Sequence, residues 1–149
     1  MRKMIVALIC SSMLAGCASS GPTGSEIVTS SVRTGSARLV IYRSSPLGLA
    51  VQPNYMLDGQ PIGLSTPNGF YVCDVKPGRH EIAADNFALN VNLFGGSDKA
   101  ALDLAAGTTT YINAQPQFGV TIGLITLSNV TVEQGRSDIA ELHKLDGKC

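Results

Sequence analysis

Closely spaced turn signals dominate the middle of this 149-residue chain. Asp58-Gly59 separates Asn54–Leu57 from Gln60–Gly63, which is the pattern of a type I′ β-hairpin because both central residues need a positive φ. Thr66-Pro67-Asn68-Gly69 and Lys76-Pro77-Gly78-Arg79 follow at intervals of about ten residues, and the second predicts a type II turn. This spacing leaves room only for short strands, so it predicts a β-meander rather than a helical bundle.

Several segments around these turns carry β-strand patterns. Ala37–Arg43 is apolar on both faces and predicts an inner strand. Phe87–Phe94 alternates apolar and polar residues, so one face is expected to pack and the other to meet water. The other predicted strands are Phe70–Val75, Arg79–Ala84, Lys99–Leu104 (with Leu102 and Leu104 facing inward), Thr108–Gln115 and Phe118–Thr126. Together they predict a mainly β fold, an antiparallel β-sandwich of about eight short strands.

The hydrophobic period changes near the C-terminus. Ile139, Leu142 and Leu145 recur at helical spacing within Ser137–Leu145, and Ser137 is a residue type that caps helix N-termini. We predict a short C-terminal helix over Ser137–Leu145, docked on the sandwich edge. The folded domain, including this helix, is predicted to span residues 37–149.

The N-terminal residues carry a secretory pattern. Met1–Lys3 is positively charged, Met4–Leu14 is apolar, and two small residues precede Cys17. The apolar run is shorter than the roughly 20 residues that span a bilayer. We therefore predict a cleaved signal peptide over residues 1–16.

Leu14-Ala15-Gly16-Cys17 resembles the lipobox of bacterial lipoproteins. The resemblance implies cleavage between Gly16 and Cys17, a diacylglyceryl group on the Cys17 sulfur and an acyl chain on its new amine. Two or three chains give durable anchoring, since each buried methylene contributes roughly 0.8 kcal/mol and one chain holds only marginally. Ala18 is not acidic, which by the same resemblance favours the outer membrane, with the domain facing the periplasm. The alternative is an ordinary cleaved signal whose first mature residue happens to be cysteine.

Residues 17–36 are predicted to form a lipidated cysteine and a flexible tether. Ser, Thr, Gly and Pro fill most of residues 18–36, and such a composition buries too little apolar surface to order itself. A flexible coil of this length spans about 25 Å root-mean-square. The tether would therefore let the domain stand off the membrane.

Charge excludes one class of partner. The chain has 11 basic and 11 acidic residues, and loss of Arg2 and Lys3 with the signal peptide leaves nine basic ones. A nucleic-acid-binding domain needs a basic face, so no nucleic-acid partner is expected. The expected partners are membrane lipid, through acylated Cys17, and an envelope protein.

The cysteines need separate accounts. Cys10 lies in the predicted signal peptide and Cys17 is the predicted lipid site, which leaves Cys73 and Cys149. An exported compartment permits a disulfide between them, and its long loop would contribute about 3–4 kcal/mol. The alternative is a buried Cys73 and a free thiol at Cys149, and the sequence leaves both readings open.

No residue pattern predicts catalysis, metal binding or a cofactor. His80 and His143 are the two histidines, and neither has cysteine or carboxylate partners at metal-ligand spacing, so His80 is expected to be structural. No Gly-x-Ser-x-Gly elbow occurs. The acidic residues are scattered, and none stands out as half of a glycosidase pair.

One predicted loop, Ser44–Pro53, has an unusual apolar tip. Its apolar residues include Leu47, Leu49 and Val51. Either they fold back onto the core, or they form an exposed patch that contacts a partner.

Ala37–Gln115 resembles DUF2846, a family of uncharacterised prokaryotic lipoproteins. The resemblance rests on Ala37–Arg43, Leu57–Gly63, Gly69-Phe70-Tyr71, Val75–His80 and Gly107–Ile112. The order of an Asp-Gly-Gln hairpin followed by Pro-Gly-x-His is also similar to PEGA-type and transthyretin-like surface domains. The resemblance implies a β-sandwich and supplies neither a reaction nor catalytic residues.

These features favour a non-enzymatic envelope lipoprotein that serves as an interaction or structural module. A second hypothesis is an accessory outer-membrane lipoprotein of an envelope-spanning secretion assembly, such as a type VI apparatus, whose components combine a lipid anchor with a transthyretin-like sandwich. A third is a cell-wall hydrolase or a periplasmic ligand binder.

Overall fold

The computed structural model describes residues 21–28, 30–47, 52–86, 98–117 and 124–149. In chain order the elements are α1 (Gly24–Ile27), β1 (Ala37–Arg43), β2 (Asn54–Leu57), β3 (Gln60–Leu64), β4 (Gly69–Val75), β5 (Gly78–Ala84), β6 (Lys99–Leu104), β7 (Thr109–Gln117), β8 (Leu124–Val130), α2 (Val132–Ile139) and β9 (His143–Lys144). No helix in these ranges is long and apolar enough to cross a bilayer. The predicted strand Phe87–Phe94 and most of Phe118–Thr126 lie outside the described residues.

Local turn chemistry sets the ends of the central strands. Asp58 and Gly59 have φ values of 49° and 77°, so the predicted type I′ hairpin between β2 and β3 is confirmed. Gly78 has a φ of 134° at the turn from β4 to β5, where the sequence predicts a positive φ. Asn68, with φ of 56°, ends the turn that leads into β4.

The nine strands of the described chain form two sheets. The five-stranded sheet has the order β8-β7-β1-β4-β9, and the four-stranded sheet has the order β3-β2-β5-β6. Most neighbours are antiparallel, but β1 pairs with β7 and β4 pairs with β9 in parallel. The predicted mainly β sandwich with a short C-terminal helix is confirmed, and the five-stranded sheet adds two parallel pairs to the predicted antiparallel arrangement. Between β1 and β7 the chain builds β4 and the four-stranded sheet, and a long crossover of this kind lets a strand return in the same direction.

An inner core lies between the two sheets. β1 is buried along its whole length, as predicted for an inner strand. Leu102 and Leu104 of β6 face inward as predicted. The aromatic members of this core, Tyr55 and Tyr71, pack edge to face with ring centroids 6.1 Å apart. Burial between the sheets supplies the main apolar contribution to the stability of the sandwich.

A second core lies on the outer face of the five-stranded sheet. It contains Val40, Tyr42, Phe70 and Tyr111 from the sheet, together with Ile27, Val28, Ile139 and Leu142 from the segments that cover it. Helices α1 and α2 therefore form a third layer. This layer explains why β1 is apolar on both faces, since each face of the strand meets a different core.

The C-terminal helix begins and ends earlier than predicted. It starts at Val132, and the Thr131 side chain caps it by accepting a hydrogen bond from a backbone N–H in the first turn. The predicted span Ser137–Leu145 is wrong because its apolar residues serve different layers. Leu142 covers the outer core after the helix has ended, while Leu145 packs against the inner core beyond β9.

Candidate functional site

The start of the described chain is fastened to the fold, which differs from the predicted flexible tether over residues 18–36. Helix α1 lies inside that stretch. The backbone N–H of Gly24 donates to Leu142 O at 3.0 Å, and the N–H of Lys144 donates to Pro22 O at 2.9 Å. These hydrogen bonds, together with the side chains of Ile27 and Val28 in the outer core, offset the entropy cost of ordering the segment. We call residues 21–28 and 30–32 the docking segment.

Two glycines allow the docking segment to approach this closely. A Cβ atom on Gly21 would lie 2.0 Å from the carbonyl oxygen of Lys144, and one on Gly24 would lie 2.0 Å from the carbonyl oxygen of Ile139. Both neighbours are backbone atoms, so a side chain at either position would push the segment off the fold. From composition alone, both glycines are predicted to belong to a flexible linker.

A capping signal in the docking segment marks α1. The spacing Thr23-Gly24-Ser25-Glu26 matches the Thr-x-x-Glu capping box. In the structure the Thr23 backbone N–H donates to Glu26 Oε2 at 2.6 Å. This four-residue pattern is the one sequence signal that could have predicted order in the segment.

Arg38 ties the docking segment to the five-stranded sheet. Its guanidinium makes a two-point contact with Asp74, Nε to Oδ1 at 2.7 Å and Nη2 to Oδ2 at 3.1 Å. The same guanidinium donates to the carbonyl oxygens of Ser30 at 3.0 Å and Ser31 at 3.2 Å. Hydrogen bonding between the two side chains raises the pKa of Arg38 and lowers the pKa of Asp74. The pair is therefore charged at neutral pH and holds three segments of chain together.

A cavity of about 320 Å³ lies between the docking segment, the outer face of the five-stranded sheet and α2. Its walls are formed by Ile27, Val28, Ser30, Ser31, Val32, Arg38, Val40, Gly107, Thr109, Tyr111, Val132, Arg136 and Ile139. These described side chains provide hydroxyls, guanidinium groups and aliphatic surface, and none of them is a carboxylate, a thiol or an imidazole. Such a lining suits the binding of a small anionic or polar molecule.

His80 forms a clasp across the hairpin turns at the opposite end of the sandwich from Gly21. Its Nδ1 lies 2.6 Å from Asp58 Oδ2, and its Nε2 lies 2.8 Å from the carbonyl oxygen of Lys76. The hydrogen bond that His80 donates to the Asp58 carboxylate raises the pKa of His80, because both neighbours of the ring are acceptors and favour the doubly protonated form. The pKa of Asp58 is lowered, first by the Glu81 backbone N–H and then by His80. Both ring nitrogens are thus engaged in holding the turn.

A buried arginine holds the start of the predicted apolar loop. Arg43 ends β1, is fully buried, and donates through Nη1 to the Ser65 carbonyl oxygen at 2.7 Å and through Nη2 to the Leu47 carbonyl oxygen. Burial lowers the pKa of Arg43. Of the predicted partner-contact residues, Leu47 is exposed, while Leu49 and Val51 lie outside the described residues.

The structure joins Cys73 and Cys149 in a disulfide, with Cα atoms 5.2 Å apart. Cys73 is buried in the inner core, so the bridge holds the C-terminal tail against the sandwich. The tail also pairs with β3, where the Lys148 backbone N–H donates to Ile62 O at 2.9 Å.

The predicted cleavage and lipidation residues, Gly16 and Cys17, lie outside the described residues. Within the described ranges, no group of three or more His, Cys, Asp or Glu residues could hold a metal ion.

Fold and site define a class of protein: a disulfide-stapled two-sheet β domain with an outer helical layer and a cavity under its docking segment. The family model described as "Protein of unknown function (DUF2846)" matches residues 33–124, and the chain belongs to this family. The match covers β1 to β7 and leaves the docking segment and α2 outside it.

One curated relative is an uncharacterized protein of Haemophilus influenzae, 29% identical over 109 residues. The aligned region covers 73% of this chain and 61% of that protein, so the chain spans less than two thirds of the relative's length. No solved structure matches the chain.

Proposed function

We propose that this protein is a lipid-anchored lipoprotein of the bacterial outer membrane, facing the periplasm, whose β-sandwich is a non-enzymatic interaction or structural module. The observation that carries the proposal is Leu14-Ala15-Gly16-Cys17 directly after a short apolar run. Acyl chains on Cys17 supply the anchor, and the sandwich supplies a rigid body that the anchor holds at the membrane.

The geometry of the described chain supports this role. The docking segment is hydrogen-bonded to the fold from Pro22 onward, so an anchor at Cys17 would hold the folded body directly. The polar groups that stand out in the structure, Arg38 with Asp74 and His80 with Asp58, are engaged in fastening segments to each other. These features are consistent with an interaction or structural module that is held at the membrane.

The test of the anchor is fractionation and intact-mass spectrometry of the full chain produced in a Gram-negative bacterium. The expected wild-type product lies in the outer-membrane fraction and lacks residues 1–16, with the mass of two or three acyl chains added. The matched variant Cys17→Ala should lose the acyl mass and leave the membrane fraction. A wild-type chain that is soluble, with an unmodified Cys17, would contradict the proposal.

The cavity favours a second candidate function, a periplasmic ligand binder. Arg136, Ser30 and Thr109 line a space large enough for a small anion or a sugar fragment. Binding would stabilise the folded state by RT ln(1 + [L]/Kd). Thermal unfolding in inorganic phosphate and in soluble peptidoglycan fragments would detect it.

A matched pair of variants makes the ligand test specific. Arg136→Ala should remove any thermal shift, whereas Arg79→Ala, which removes an exposed cation from the four-stranded sheet, should leave it unchanged. Breakdown of the peptidoglycan fragments during the experiment would instead indicate a hydrolase. Equal unfolding temperatures with and without each probe, at millimolar concentration, would reject this candidate.

A further inference from the structure

One end of the sandwich gathers the start of the docking segment and the beginning of the apolar loop. Arg43 pairs with Gly69 across β1 and β4, and Gly69 pairs with His143 across β4 and β9. His143 Nδ1 lies 2.9 Å from the carbonyl oxygen of Gly21. Arg43 also binds the carbonyl oxygen of Leu47, which places that loop at the same end. We call this the Gly21 end.

The Gly21 end carries two exposed leucines. Leu47 is 57% exposed and Leu64 is 48% exposed, and Leu64 precedes Ser65, whose carbonyl oxygen also binds Arg43. Val132, at 36%, is the third large hydrophobic residue that is exposed in the described chain, and it lines the cavity beside Gly107 at the other end. Single exposed leucines are ordinary on protein surfaces, so a second observation is needed before this pair indicates a contact surface.

The second observation is the length of chain between the anchor and the fold. Cys17 and Gly21 are four residues apart, and four residues span at most about 14 Å. An acylated cysteine sits at the inner edge of the headgroup layer, which is roughly 5–8 Å thick on each side of a bilayer. Gly21 would therefore stay within roughly 6–9 Å of the membrane surface.

At Gly21 this gap is too narrow for a protein partner to lie between the fold and the membrane. A single helix with its side chains is about 10–12 Å wide. The surface that meets the Gly21 end is therefore the bilayer itself, and exposed leucines suit the boundary between headgroups and acyl chains.

We propose that the Gly21 end rests on the lipid bilayer, with Leu47 and Leu64 inserted at the headgroup boundary and the sandwich standing with its His80 end away from the membrane. This inference rests on the proposed acylation of Cys17. The nearby charges are of mixed sign, with Glu26 beside Thr23 and Lys144 beside Pro22, so they give no net preference for anionic lipid. The contact is therefore apolar, and high salt should leave it intact.

The test is site-specific photocrosslinking of the full-length chain in native membranes. Benzoylphenylalanine replaces Leu47, Leu64 or, as the matched control, Val132, and adducts are identified by mass spectrometry. Phospholipid adducts are expected at the two leucine positions and not at Val132, in low and in high salt. Protein adducts at the leucine positions, or equal lipid yields at all three, would overturn the inference.

Lengthening the chain between anchor and fold tests the geometric argument directly. Twelve Gly/Ser residues inserted between Ser20 and Gly21 raise the link from four residues to 16. Because effective concentration falls roughly as the −3/2 power of link length, the lipid adduct at Leu47 should drop about eightfold. The same insertion after Ala106, in the exposed turn before β7 at the opposite end, should leave the yield unchanged.

A substitution provides an independent route to the same effect. Gly24→Leu cannot keep the docking segment in place, because its Cβ would lie 2.0 Å from the Ile139 carbonyl oxygen, so the link lengthens without added residues. The lipid adduct at Leu47 should fall here as well, and an undiminished yield in the insertion variant would overturn the inference whatever the substitution does.

The two proposals fail in different ways. If Cys17 carries no lipid, the chain leaves the membrane fraction and both proposals fall together. If the chain is acylated and membrane-bound while Leu47 and Leu64 yield no lipid adducts, the anchor stands and the membrane-resting geometry is wrong.

Discussion

Replacing Gly135 with Ala sets helix propensity against packing. Alanine is about 1 kcal/mol better than glycine in a helix interior, so propensity alone predicts a more stable protein. In the structure a Cβ at this position would lie 2.2 Å from Tyr111 Cγ and 2.5 Å from Tyr111 Cβ. These atoms are the root of the side chain, and β7 is paired on both sides, so the ring has little room to retreat.

The expected balance is a loss of stability. Overpacking of a tight core costs about 1–3 kcal/mol, and contact with rigid root atoms places this site at the upper end. After subtraction of the propensity gain, Gly135→Ala should lower the free energy of unfolding by about 2 kcal/mol. The outer core would then separate from α2 more readily than in the wild type.

Urea unfolding with the disulfide intact measures this loss. The chain has no Trp, so far-UV circular dichroism and tyrosine fluorescence are the signals. For an m value of about 2 kcal/mol/M, the midpoint should fall by about 1 M. Ser137→Ala, on an exposed position of the same helix, should leave it unchanged or raise it slightly. A Gly135→Ala midpoint at or above that of the wild type would refute the packing argument.

Three further predictions use the same unfolding measurement. Cys149→Ser removes the disulfide that links residues 76 positions apart and should lower the free energy of unfolding by about 4 kcal/mol. The m value should rise, since the unfolded chain expands. Unchanged stability would show that the disulfide does not stabilise the fold. Asp58→Asn should destabilise the protein most between about pH 4 and 6.5. The stabilisation from the His80–Asp58 pair is lost as pH rises through the raised pKa of His80 or falls through the lowered pKa of Asp58. A pH-independent difference would show that this ion pair does not stabilise the turn. Asp74→Ala leaves the largely buried Arg38 without its carboxylate partner and should lower the free energy of unfolding by roughly 2–3 kcal/mol. Amide exchange in the docking segment should become faster. Unchanged exchange would show that Arg38 does not hold the docking segment on the sheet.

The parts of the fold that the sequence predicted well are those with a local cause. Asp58-Gly59 needs positive φ at both residues whatever surrounds it, so the hairpin could be predicted from two letters. Ala37–Arg43 was correctly predicted as an inner strand because apolar residues on both of its faces require cover on both sides.

Strand neighbours could not be predicted in the same way. A period-2 pattern tells which face of a strand is buried, and it carries no information about which strand lies beside it. The parallel pairs of β1 with β7 and β4 with β9 join segments far apart in the chain. The helix prediction failed for a related reason: Ile139, Leu142 and Leu145 have helical spacing, yet the helix ends at Ile139, Leu142 joins the same outer core and Leu145 packs against the inner core.

The candidate site is harder to predict because its parts meet only in the folded state. Ser25 Oγ donates to the Ala140 carbonyl oxygen across a separation of 115 residues, and the cavity has walls from both ends of the chain. The family match, over residues 33–124, contains neither the docking segment nor α2. Similarity within the family therefore informs the sandwich, including Leu47 and Leu64, while the docking segment that would hold this end at the membrane lies outside the match. Whether other members of the family keep glycine at the positions of Gly21 and Gly24 is thus a sharper indicator of a short, membrane-resting attachment than similarity of the sandwich itself.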